Sequence, residues 1–194
     1  MKKSTFGQEY GFQTRSVHTG NDIDGETGSI RRPITMANSY ALPYDPTDVN
    51  WSDAGKALYT RNSGANQLYL QEKLAALEGS EDCVVLATGV AALSGVFFSM
   101  LKSGDHVVCS HVSYIAVYRL LTQYLPEKYG IEATLVDTSD LSAVKAAIRS
   151  NTKLIHIETP GNPTLNISDI EAIAQIAHGT QYSKIIIGRK YACS

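Results

Sequence analysis

From residue 66 onward, short apolar runs rich in β-branched residues alternate with longer segments of helical period, and few folds accept that order. The runs Cys83–Ala87, His106–Cys109, Glu132–Val136, Lys153–Glu158 and Lys184–Ile187 read as strands. Gln67–Leu77, Val90–Leu101, Ser113–Leu125 and Leu141–Arg149, with a further segment to Ala177, carry apolar residues at helical spacing. Local punctuation agrees with this division. Gly79 supplies a left-handed stop, Asp140 an N-cap, Ser168-Asp169-Ile170-Glu171 a capping box, and Pro126 cuts the helix before it. Strands separated by helices of such length imply right-handed crossovers and a mostly parallel sheet with flanking helices, an α/β fold. Sheets of this kind bind ligands at the carboxyl ends of their strands.

The front of the chain reads differently. Residues 1–65 are rich in Gly, Asn, Asp, Ser, Pro and Tyr and show no sustained helical period. The stretches NDIDGETGSIRRPI and YDPTDVNWSDAGK are expected to be long loops, which in a compact chain are usually functional or wrap something. DIDGE has the look of a calcium loop but lacks the spaced ligands and terminal glutamate, so no metal is assigned to it. The expected division is an irregular arm over 1–65 and an α/β domain over 66–194.

Charge and length restrict the function class. With 194 residues, 43% hydrophobic, and a net charge of −2 from scattered basic and acidic residues, the chain has material for one good core and no basic face for nucleic acid. No apolar run of membrane-spanning length occurs, and MKKSTFGQEYGFQ lacks the apolar core of a signal peptide, so the expected location is cytoplasmic, with no membrane partner. Cys83, Cys109 and Cys193 have no metal-like spacing and are expected to be buried, reduced thiols.

Neither GxGxxG nor GxxxxGK[ST] occurs, so nucleotide loops of those types are absent. Thr88-Gly89-Val90 lies where an expected strand gives way to a helix, and the first amides of a helix favour an anion. The same glycine also reads as one needed for close strand–helix packing. Tyr59-Thr60-Arg61 places a phenol and a guanidinium on one side of an extended chain; alone it reads as a surface salt bridge, and with an anion nearby as a phosphate clamp. Tyr114 follows the strand at His106–Cys109, and alone reads as a core or rim tyrosine. Glu158-Thr159-Pro160-Gly161-Asn162-Pro163 follows another strand, either as a turn-forming connector or as a rigid loop that presents the Asn162 amide. All of these are expected to converge on one edge of one sheet.

The motifs SVHTG, YTRN, QEKLAALEG, ATGVAAL, SGDHVV, Tyr114, TKLIHIETPGNP and DIEAIA, in this order from Ser16 to Ala177, resemble the Cys/Met-metabolism family of pyridoxal-phosphate (PLP) enzymes. That family includes cystathionine γ-synthase, the cystathionine β- and γ-lyases and methionine γ-lyase. The resemblance implies the large domain of an aspartate-aminotransferase-like fold and elimination or replacement at the β or γ carbon of an amino-acid substrate in sulfur amino-acid metabolism. It implies that the amides of Gly89 and Val90 hold the PLP phosphate, that Tyr59 and Arg61 reach the same phosphate from a neighbouring subunit, that Tyr114 stacks on the pyridine ring, and that Asn162 lies beside the phenolic oxygen. Tyr114 is also the one candidate here for a catalytic role. The arm would wrap a partner chain, giving a homo-oligomer, a tetramer built from dimers.

The sequence departs from the family at three places. Tyr114 is followed by Ile115-Ala116-Val117, where members carry Gly-Gly-Thr, and Ala116 stands where methionine γ-lyases often carry a cysteine. The strand Lys184–Ile187 leads into Gly188, where members carry the aspartate that pairs with the pyridine nitrogen. No Ser-x-Thr-Lys segment, which supplies the Schiff-base lysine, and no C-terminal domain follows; Lys153, Lys184 and Lys190 do not match that lysine. The expectation is therefore an enzyme's cofactor-binding half, truncated, with a non-catalytic fragment or pseudo-enzyme subunit as the alternative.

Overall fold

The computed structural model describes residues 10–51 and 57–179, together with the backbone of 186–190. The chain divides into two compact units, residues 1–85 and 86–194.

In the first unit, helix α1 (Phe12–His18) packs on helix α2 (Ala65–Glu78). The Arg15 guanidinium donates to the Ala76 carbonyl, and the Lys73 ammonium to that of Ser16 at 3.1 Å. α2 ends as its sequence requires, with Gly79 at φ 66° and its amide returned to the Ala75 carbonyl. The connecting chain is held by polar side chains: Arg32 pairs with Asp22 and lies 4.2 Å over the Tyr69 ring. Asp24, in the stretch that looks like a calcium loop, accepts from the Thr27 amide and hydroxyl, both at 2.8 Å, so its carboxylate serves a local turn. α1 lies in the stretch where no helical period is visible, because its 7 residues are too few to establish one.

The second unit carries helix α3 (Gly89–Met100), strand β1 (His106–Ser110), helix α4 (Ile115–Arg119), a wide π-helical turn (Leu120–Tyr124), helix α5 (Leu125–Tyr129) and strand β2 (Glu132–Val136). Helix α6 (Leu141–Ala147), strand β3 (Thr152–Glu158), helix α7 (Ile170–His178) and strand β4 (Ile186–Lys190) follow. The four strands run parallel in the order β2-β1-β3-β4. Alternation along β1 sends Val107 and Cys109 to one face, where Phe97, Leu101, Val117, Leu121, Leu125 and Leu154 bury them; Val108 joins Val144, Ile155, Ile157 and Ile173 on the other. The Phe97 ring meets the His156 ring edge-on at 5.6 Å, which seats α3 against β3.

Four expectations change. Cys83–Ala87 forms no ladder among the described residues, and Val84 stays 74% exposed: a β-branched run becomes a strand only where another backbone is present to pair with it. Pro126 does not end the helix before it. The wide turn bonds the Leu125 amide to the Leu120 carbonyl, and Pro126 then falls in the first turn of α5, where its missing donor is harmless. Asp169, rather than Ser168, caps α7, accepting from the Ala172 amide at 2.9 Å, while the Ser168 hydroxyl is committed to Thr138 at 2.7 Å. Cys109 is buried and burial pushes its thiol up to about 12, but Cys83 is half-exposed, because the run around it joins no sheet. Of the expected strand Lys184–Ile187, the first two residues lie outside the described ones, as does Cys193.

Candidate functional site

α3 returns to β1 through the short turn Leu101–Asp105, so it runs antiparallel to the sheet and its amino end lies toward the strands' carboxyl ends. Thr88, at φ −145° and ψ 155°, caps this helix by accepting from the Ala91 amide at 3.1 Å, and the Ala92 amide bonds the Thr88 carbonyl. The amides of Gly89 and Val90 make no bond to any described residue. A methyl group built on Gly89 meets nothing within 4 Å. Close packing therefore does not require glycine here. The helix presents two amides beside open space, on a 12-residue helix whose dipole favours an anion.

The loops after β1, β2 and β3 gather at the same edge. Tyr114, 41% exposed, opens α4, and its amide donates to Glu158 Oε2 at 2.9 Å. Glu158, the last residue of β3, is 2% exposed. Beyond it the chain turns sharply. The Gly161 amide bonds the Asn166 carbonyl at 2.9 Å, and Asn162 lies exposed on the turn. A Cβ on Gly161 would stand 2.9 Å from Val112 Cγ1, so the loops after β1 and β3 touch there and a side chain on Gly161 would force a shift. The Ser168 amide donates to Thr159 Oγ1 at 3.0 Å and the Ser168 hydroxyl meets Thr138, tying in the loop after β2. Glu158 and Lys190 are partners in the β3–β4 register, as are His156 and Gly188.

Tyr59 and Arg61 belong to the first unit. They come together in a turn rather than in extended chain: the Tyr59 carbonyl accepts from the Asn62 and Ser63 amides, and Arg61 lies 5.0 Å over the Tyr59 ring. Both are exposed at the surface. Gly89, Val90, Tyr114 and Asn162 share one edge of one sheet. In the sequence Glu158 stands out only as part of a motif; its contact with the Tyr114 amide spans 44 positions and has no local signature.

The donor set fits a phosphate joined to a flat aromatic ring: two amides and a helix amino end for the anion, an exposed tyrosine face, and an amide side chain on a rigid turn. The lysines within residues 86–179 lie elsewhere. Lys102 is in the α3–β1 turn, Lys128 and Lys145 near the ends of α5 and α6, and Lys153 at the start of β3, all toward the amino edge.

Comparisons with known proteins identify the family. The sequence profile of the family described as Cys/Met metabolism PLP-dependent enzyme matches residues 13–191. The chain is 58% identical over 166 residues to canavanine gamma-lyase of Rhizobium leguminosarum bv. trifolii, covering 86% of this chain and 41% of that protein. It is 36% identical to L-methionine gamma-lyase of Porphyromonas gingivalis, over 98% of this chain and 48% of that one. Among solved structures, metB from Corynebacterium glutamicum superposes with a TM-score of 0.79 at 39% identity, over 92% of this chain and 44% of that one. The chain thus spans less than half the length of these relatives.

Proposed function

The chain belongs to the Cys/Met metabolism family of PLP-dependent enzymes, and from that membership we propose that it forms the cofactor-holding part of a lyase acting on an amino acid with a leaving group on its γ carbon. The 58% identity to a canavanine gamma-lyase supports γ rather than β chemistry. Bound PLP would supply the electron sink into which a carbanion beside the amino group delocalises. This chain's residues would bind and orient it. The Gly89 and Val90 amides at the amino end of α3 would hold the phosphate, the Tyr114 ring would stack on the pyridine, and the Asn162 amide would help orient the ring. Tyr114 is also the acid–base candidate, since this exposed residue lies at the same edge.

Tyr59 and Arg61 complete the phosphate site from a second copy in this reading, with the Arg61 fork as its cation. The front segment supports such a homo-oligomer through Ile30, Ile34 and Met36, which are 80%, 82% and 90% exposed and suit burial against a partner. Among the described residues no helix is long and apolar enough to cross a membrane.

The observation that carries the proposal is the pair of unbonded amides beside open space at Gly89. Gly89→Pro tests it. Proline is well suited to the first position of a helix, and Thr88 is already in the extended conformation that proline requires before it. The variant therefore keeps the fold and deletes one donor. Titration with PLP should show at least tenfold weaker binding at unchanged Tm, and equal affinity would overturn the reading.

A further inference from the structure

We propose that Glu158 is a positioning residue for the cofactor ring: its buried carboxylate fixes the place of Tyr114 and locks the ring-stacking loop to the Asn162 loop. The inference rests on the cofactor reading above.

The argument begins with the cost of the arrangement. A carboxylate at 2% exposure is expensive to bury, and it is retained where it makes specific hydrogen bonds. Glu158 Oε2 accepts from the Tyr114 amide at 2.9 Å, a charge-assisted bond from the end of β3 to the residue at which α4 starts. That amide belongs to the residue before the first helical one, so the carboxylate holds the chain where the helix begins. The Tyr114 ring leaves the same residue, and its position over a ligand follows from this anchor.

A second contact lies three residues along. Gly161 meets Val112 so closely that a Cβ would stand 2.9 Å from its methyl, so the two loops are held together at both ends of a short span. Tyr114 and Asn162, each two residues or fewer from one of these contacts, are therefore placed with respect to one another. A site of this kind depends on supporting groups to hold its contacting residues within a fraction of an ångström.

The alternative role for a buried carboxylate here is electrostatic, its charge acting on the bound cofactor. Two variants separate the roles. Glu158→Gln keeps the reach and an acceptor oxygen but removes the charge. Glu158→Asp keeps the charge but withdraws it by one methylene. Two readouts apply to each: hydrogen exchange of the Tyr114 amide without ligand, and affinity for PLP by equilibrium titration. Positioning requires that Glu158→Gln stay within about threefold of the parent in both. Glu158→Asp should speed Tyr114 exchange at least tenfold and weaken PLP at least tenfold, with β1 and β2 amides unchanged. The reverse order, or Tyr114 exchange unaffected in Glu158→Asp, overturns the proposal. Failure of the parent chain to bind PLP would count against the cofactor reading alone, because Tyr114 exchange reports the anchor without ligand.

Discussion

The Nδ1 of His106 stands 2.8 Å from the hydroxyl of Thr152, and its Nε2 the same distance from that of Thr134, so one fully buried imidazole joins β1, β2 and β3. Burial, helped by the Arg149 guanidinium, pushes His106 down to about 4 from an ordinary 6.5; Glu132 acts weakly the other way. Arg149 itself bonds Glu132 and Thr134, and Asp105, next in the chain, caps the turn at the Lys102 amide.

The sign of the pH dependence follows. The unfolded chain takes a proton at His106 as pH falls below 6.5, whereas the fold does not until about 4. Stability is therefore complete above 6.5, falls through that window, and levels below it, by roughly 3 kcal/mol at most. Urea midpoints measured from pH 7.5 to 4 should fall through this window, and His106→Gln, though less stable, should lose most of the slope. An equal slope in the two proteins would reject the assignment.

Gly161→Ala should destabilise by about 1–3 kcal/mol, because its methyl has no room beside Val112. The double variant Gly161→Ala/Val112→Ala should recover part of the loss. Thermal melts of the three variants measure the coupling, and strict additivity would show that the two loops do not touch as described.

Arg61→Ala removes a charge-assisted donor from the proposed phosphate site while leaving an exposed turn intact. In an assembled oligomer the affinity for PLP should fall about 10- to 100-fold, the equivalent of one such bond. Titration at matched oligomer concentration checks it, and an unchanged affinity sinks the clamp.

Borohydride reduction of the chain with PLP should give no single stoichiometric lysine adduct, since the lysines within residues 86–179 lie toward the amino edge of the sheet and Lys190 does not match the family's Schiff-base lysine. Peptide mapping by mass spectrometry reads the outcome. A unique adduct on Lys190, which pairs in register with Glu158, would reassign that residue as the cofactor-linking lysine.

What was legible in the sequence is what local chemistry decides. Asp140 accepts from the Ser142 and Ala143 amides, and Gly79 takes the left-handed conformation, because caps depend only on nearby residues. Four of the five expected strands lie in the sheet, though the last is described only from Ile186. Cys83–Ala87 shows the limit: composition fixes a strand's preference, but a ladder needs a second backbone. The Glu158–Tyr114 bond and the Gly161–Val112 contact stayed hidden for a related reason, since each joins loops that only the folded sheet brings together. The capping box expected from Ser168 gave way to a cap by Asp169, also a good capping residue, while the Ser168 hydroxyl meets Thr138 from across the fold.

The wide turn at Leu120–Tyr124 has a geometric consequence. Val117, Leu121 and Leu125 are all buried and recur every fourth residue. In an unbroken α-helix such a series precesses about 40° per step and spirals off its neighbour. A turn closed five residues back, from Leu125 to Leu120, is broader and absorbs much of that precession. The bulge thus acts as a vernier: it keeps three side chains in line with one sheet, where a regular helix would have rotated the third away from it.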